Sequence, residues 1–167
     1  MIRREQFANA LGELLVVGHA WIIAISEVIE AMASGRCLCG AVRYEIVGPL
    51  RDVLLCHCEE CRRWTGHFSA NTAARREDLV LTEQSGLSWF DSPRSDAHAR
   101  RGFCAQCGAS LFWDAPDRPT ISIAAGTLDE PTGLRVTAHW YVSQAGDYYE
   151  LPADGLPRHE LSAERER

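Results

Sequence analysis

The chain has 167 residues, enough for one domain with a buried core, and its 46% apolar and 24% charged content is that of an ordinary globular protein. A formal net charge of −6 argues against a nucleic-acid partner, which would call for a basic face. Seven cysteines are many for this length, and the odd number leaves one thiol over in any disulfide framework. Their close spacing fits thiolate–metal ligation, which suits a reducing cytoplasm and sets a cytoplasmic expectation.

Residues 1–32 contain no cysteine or proline, and Phe7, Leu11, Leu14, Leu15, Gly18, Ile22, Ile25 and Ile29 recur at helical spacing. Three readings compete. A membrane span needs a longer apolar run than residues 14–25, and Glu13 and His19 interrupt it. A signal peptide would use Arg3 and Arg4 ahead of the apolar run and Ala31-Met32-Ala33 as its cleavage site, but Glu5 and Glu13 come too early. The reading adopted is an N-terminal extension over 1–32, either an added amphipathic helix or a start placed ahead of Met32. A zinc-binding domain is then expected over 33–160, with a tail over 161–167 and no membrane association.

Gly35-Arg36-Cys37-Leu38-Cys39-Gly40 reads as a tight turn offering two sulfurs, with Gly40 free to take positive φ. Residues 41–47 alternate as a strand that Gly48-Pro49 ends. Residues 53–55 form a short apolar run into Cys56-His57-Cys58-Glu59-Glu60-Cys61, so these sulfurs sit at a strand end. Residues 59–64 are long enough for one helical turn, and Gly66 breaks it. Residues 68–73, 79–82, 87–90 and 111–113 read as strands, with a polar run at 74–78 and a polar loop at 92–98. Residues 100–103 lead into Cys104-Ala105-Gln106-Cys107-Gly108, a second cysteine–glycine turn. Residues 121–125 alternate, residues 134–142 form the last strand pattern, and the chain from Gly146 onward reads as a surface tail. Strands joined by short turns, with no long helix after residue 32, define an all-β domain.

The seven sulfurs divide into four and three. Cys37, Cys39, Cys104 and Cys107 supply a full tetrahedral set, the pattern of a structural zinc. Cys56, Cys58 and Cys61 are one ligand short, the pattern of a catalytic zinc with an open position. Two Zn2+ per chain are expected. A thiol arriving at the open site would be deprotonated and ready to attack a small carbonyl. His57 lies between two ligands and points away from them if the segment is extended. It reads as a packed ring, with a fourth ligand or proton shuttle as the alternative. Glu59 and Glu60 read as solvated charges. Arg62 and Arg63, and the pair Arg100 and Arg101, are candidates to hold an anionic substrate, because guanidinium forks match carboxylates, with a solvated face as the alternative for each. Trp64, Phe68, Trp89 and Trp113 read as core.

Residues Gly35-Arg36-Cys37-Leu38-Cys39-Gly40-Ala41-Val42-Arg43-Tyr44 resemble the opening motif of the glutathione-dependent formaldehyde-activating enzyme family, also called the centromere protein V family. Cys56-His57-Cys58-Glu59-Glu60-Cys61-Arg62-Arg63 and Arg101-Gly102-Phe103-Cys104-Ala105-Gln106-Cys107-Gly108 are similar to its second and third motifs. Ala125-Gly126-Thr127-Leu128-Asp129 and His139-Trp140-Tyr141-Val142 are similar to later stretches. The resemblance spans residues 34–160 and implies a β-tent fold, two zinc ions and carbon–sulfur lyase chemistry. It implies Cys37, Cys39, Cys104 and Cys107 as structural ligands and Cys56, Cys58 and Cys61 as catalytic ones. The expected function is addition of a small thiol, glutathione or similar, to formaldehyde or a small aldehyde, or the reverse. The alternatives are a non-catalytic zinc-binding interaction module, which the centromere branch suggests, and a thiol-based sensor.

Overall fold

The computed structural model describes residues 32–92 and 98–161. The expected N-terminal helix or early start, most of the polar loop at 92–98 and nearly all of the tail over 161–167 lie outside the described residues. The chain divides at Met32/Ala33, and the second unit is the one described below.

Its strands run in chain order: β1 Met32–Arg36, β2 Arg43–Val47, β3 Arg51–Cys56, β4 Ser69–Arg75, β5 Leu79–Glu83, β6 Leu87–Asp91, β7 Arg100–Cys104, β8 Ser110–Asp114, β9 Thr120–Ala124, β10 Val136–Trp140 and β11 Arg158–His159. One α-helix, α1 Glu59–Thr65, stands among them in the described residues. The strands form a three-stranded sheet, β1-β2-β5, and an eight-stranded sheet, β11-β10-β3-β4-β9-β8-β7-β6. In the large sheet β10 runs parallel to both β3 and β11, and the remaining neighbours are antiparallel. The all-β expectation holds.

Period-two alternation gives the sheets distinct faces. In β2, Tyr44 and Ile46 turn inward while Arg43 and Val47 face out. In β9, Ile121 and Ile123 turn to the core while Ser122 and Ala124 face the opposite way, into a cavity. In β4, Ala74 joins the core while Ser69, Asn71 and Ala73 line that same cavity. The core therefore fills the space between β2 and the β4-β9-β8 face, closed by Val42, Leu111, Phe112 and Leu128. Tyr44 places its ring edge against Phe112, centroids 5.3 Å apart, and its hydroxyl bonds Thr127 Oγ1 at 2.7 Å.

Several boundaries differ from the sequence reading. The helix has two turns rather than one, because both ends are capped: Cys58 Sγ accepts the Cys61 amide, and Gly66 takes φ 83° and closes on Arg62 O at 2.8 Å. Acidic Glu59 and Glu60 sit in the first turn and basic Arg62 and Arg63 in the last, matching the helix dipole. β4 continues to Arg75 through what reads as a polar connection, because alternate residues Thr72 and Ala74 are buried. The last long strand stops at Trp140, since Tyr141 adopts a left-handed φ of 58°. The surface tail expected from Gly146 is instead bound to the sheet. His139 N donates to Pro157 O at 2.8 Å, and Arg158–His159 add a parallel edge strand.

Ile123 is fully buried at the centre of this packing. Ile123→Ala should lower unfolding free energy by about 2–5 kcal/mol in urea titration of the metal-loaded chain. A change below about 1 kcal/mol would place the core elsewhere.

Candidate functional site

All seven cysteines are free thiols, and they gather into the two groups that their order suggests. Within each group every sulfur lies within 4.8 Å of every other. Cys37 and Cys39 occupy the turn between β1 and β2, while Cys104 ends β7 and Cys107 sits in the turn to β8. The four-sulfur group thus joins the small sheet to the large one. Gly40 and Gly108 take φ 81° and 74°, the left-handed conformation that lets each turn close. The Val42 amide points at Cys37 Sγ at 3.3 Å.

Tetrahedral thiolates at about 2.3 Å from a zinc ion stand about 3.8 Å from one another. Here Cys37 Sγ lies 3.6 Å from Cys39 Sγ, and Cys39 Sγ lies 3.7 Å from Cys104 Sγ. The donor set and its spacing fit such an ion, and this group could hold one with four protein ligands. Cys37 and Cys104 are buried among core side chains, so the site belongs to the packing of the domain.

The three-sulfur group has a different setting. Cys56 ends β3, Cys58 caps α1, and Cys61 lies one turn into the helix. All three line a cavity of about 410 Å³. Its floor is the small polar face of β4 and β9, with Ser69, Asn71, Ala73 and Ser122. Trp64, Trp113, Trp140 and Tyr141 wall it, and Arg51, Arg101 and Arg118 bring positive charge. Crowding separates the thiols electrically. Hydrogen bonding from Cys56, then Cys61, pulls the Cys58 thiol down. The same contacts with Cys58 and Cys61, with burial, push Cys56 up. A cation is the natural complement of such a set, and these three sulfurs could hold one with a side left toward the cavity.

Arg101 is the one candidate arginine that reaches this cavity. It is 6% exposed, its Nε donates to Ser92 Oγ at 2.9 Å, and its Nη2 lies 3.4 Å from Glu60 Oε2. Its charge also bears on Cys58 and Cys61. Arg62 points elsewhere, with Nε donating to His57 O at 3.3 Å and Gln144 O at 2.9 Å. Arg63 pairs with Glu59 at 2.8 Å along the helix, and Arg100 pairs with Asp114 at 3.0 Å over the Trp89 ring. Glu59 and Glu60, read as solvated, both line the cavity. Trp64 and Trp113, read as core, are cavity wall, and Trp64 Nε1 donates to Ser110 Oγ at 2.6 Å.

His57 is a packed, hydrogen-bonded ring, fully buried behind the sulfur loop. Nδ1 meets Tyr149 Oη at 2.7 Å and Nε2 meets His139 Nδ1 at 2.9 Å. Burial, then the neighbouring His139, pulls its pKa down to about 4, so the ring is neutral at pH 7. Tyr149, Gln144, Ser110, Arg51 and Arg118 carry no motif, and only the folded register brings them here.

A family model described as glutathione-dependent formaldehyde-activating enzyme matches residues 32–144. The chain belongs to that family. An uncharacterized lyase of Schizosaccharomyces pombe is 30% identical over 80 residues, which is 47% of this chain and 55% of that protein. A Halomonas elongata protein, provisionally named a glutathione-dependent formaldehyde-activating enzyme, is 26% identical over 95 residues, 54% of this chain and 60% of that protein. The chain thus matches little more than half the length of these curated relatives. A crystal structure of a Rhodobacter sphaeroides protein superposes with a TM-score of 0.50 at 22% identity, covering 75% of this chain and 98% of that one. That likeness speaks to the all-β fold, which is the β-tent expected of the family.

The two sulfur groups should respond differently to loss of a ligand. Cys104→Ser should strip the closed site and remove stabilisation on the order of 10 kcal/mol, leaving an unfolded chain by circular dichroism. Cys58→Ser should stay folded with one metal fewer by elemental analysis. Equal folding of both variants would contradict the division.

Proposed function

We propose that this chain is a zinc-dependent carbon–sulfur lyase that joins a small thiol, glutathione or similar, to formaldehyde or a small aldehyde, or cleaves the adduct. The observation that supports it is the setting of Cys56, Cys58 and Cys61 at a cavity wall, against the core setting of the other four cysteines. We read Cys37, Cys39, Cys104 and Cys107 as ligands of a structural Zn2+ and the other three as ligands of a second one. Bound there, the ion would supply Lewis acidity and lower the pKa of a thiol.

The chain's own residues account for binding and enclosure. Arg101 stands over the site as a buried cation able to pair with a carboxylate of an anionic thiol. Trp64 and Trp140 line the cavity beside the three sulfurs, and Trp140 pairs in register with Cys56. The polar floor of Ser69, Asn71 and Ser122 offers hydrogen bonds along an extended substrate. In the joining direction the thiol sulfur attacks the aldehyde carbon, a C–S bond forms, and the thiol proton ends on the former carbonyl oxygen. Glu60, 24% exposed and held by Arg101, is the acid–base group best placed to hand that proton on. Membership of the family supports the reaction class, and the donor set supports the metal.

Exchange NMR with formaldehyde and a panel of thiols tests this reading. Interconversion of free thiol and hydroxymethyl thioether should run faster than the unaided reaction and fall back to it in Cys58→Ser. No enhancement with any thiol would contradict lyase function. Arg101→Gln should raise KM about tenfold for an anionic thiol and leave a neutral one near its starting value. Equal loss for both would remove Arg101 from substrate recognition.

A further inference from the structure

The segment after residue 144 lies beyond the family match, yet it reaches the back of the three-sulfur loop. His57 separates Cys56 from Cys58 and is fully buried, as is His139 on β10. Each ring uses both nitrogens. Tyr149 Oη lies 2.7 Å from His57 Nδ1, His57 Nε2 lies 2.9 Å from His139 Nδ1, and His139 Nε2 lies 3.0 Å from Asp154 Oδ2. The backbone joins the same chain of contacts, with His57 N donating to Trp140 O at 2.9 Å and His139 N to Pro157 O at 2.8 Å.

The carboxylate at the end of the row sets the proton that faces it. The Asp154 carboxylate, held below the usual carboxylate range by His139 and the Leu156 amide, can only accept. His139 therefore donates from Nε2 to Asp154. With His139 Nδ1 accepting, His57 donates from Nε2 and accepts at Nδ1 from Tyr149 Oη. Tyr149, whose phenol burial keeps protonated, supplies the last proton. All three hydrogen bonds are made in this arrangement, and neither buried ring leaves a nitrogen unpaired.

We propose that Tyr149 and Asp154 are positioning residues for the three-sulfur site, acting through His57 and His139 to hold the loop from Cys56 to Cys58 in ligand geometry from behind. Neither touches the cavity. His57 is the only residue between Cys56 and Cys58, so rotation of its ring pulls on the backbone that aims both sulfurs. The same row docks the segment around Tyr149 and Asp154 onto the sheet and gives the sulfur loop a fixed orientation. This inference shares with the proposed function only the metal at Cys56, Cys58 and Cys61, and it requires no turnover.

Two readouts on the full metal-loaded chain test it: ring 15N correlation spectra, and metal release to a chelator with a thermal melt alongside. In the unmodified protein both His57 and His139 should show the Nε2–H tautomer. Asp154→Ala should give His139 mixed tautomers and speed release from the three-sulfur site about tenfold, with the four-sulfur site unchanged. Asp154→Asn, which keeps an acceptor oxygen, should restore most of the slow release. Tyr149→Phe should speed release while leaving the His139 tautomer as it was. Unchanged release from the three-sulfur site in both Asp154→Ala and Tyr149→Phe would overturn the proposal. So would equal acceleration at both metal sites, which marks general loosening. A chain that fails to catalyse but shows these tautomers and this site-selective release would sink the lyase reading and leave the brace standing.

Discussion

Sulfur atoms crowded to within 4.8 Å cannot all be ionised unless a cation sits among them, and this chain makes that crowd twice. The first crowd ties the β1–β2 turn to the β7–β8 turn. Those turns belong to different sheets, so the tie closes the core between them. Cys37 and Cys104 pack with Val42, Tyr44, Leu111 and Phe112, so the four-sulfur group is continuous with the hydrophobic packing. The sulfur group adds a second tie between the two sheets beside the core that Tyr44, Ile46, Phe112 and Ile123 already form. A bound ion there adds directly to folding free energy.

The second crowd depends on the first through the sheet. Alternation in β4 and β9 sends Ala74, Ile121 and Ile123 one way and Asn71, Ala73 and Ser122 the other. Core and cavity are the two faces of the same strands. Fixing the core face fixes the floor on which a substrate would lie. β3 then carries Cys56 to the edge of that floor, and the caps at Cys58 and Gly66 set α1 so that Cys61 turns back toward it. The small floor residues leave room, while the tryptophans and Arg101 narrow what can enter.

The two sulfur groups were legible in the sequence because thiols that meet need close spacing, and Cys-x-Cys and Cys-x₂-Cys turns ending in glycine state it locally. The strand alternation was legible for the same reason at 41–47 and 121–125. What stayed hidden depends on register. Trp64 and Trp113 read as core because large aromatics usually are, but they stand on the cavity side. Arg62 and Arg63 sit beside Cys61 in sequence, yet a helix turns them away from it, whereas Arg101 arrives from a distant strand. The segment after Gly146 looked like a tail because its composition is polar. Its attachment comes from Tyr149 and Asp154 meeting two buried histidines, a pairing that composition does not show.

Zinc K-edge X-ray absorption on the fully loaded chain tests the division of sulfurs most directly. Two ions sharing seven thiolates and one lighter ligand should average about three and a half sulfurs per zinc at about 2.3 Å. Selective removal of the labile ion should raise the average to four. An average of four before removal, or a sulfur count that falls on removal, would contradict the closed and open pair on which the account stands.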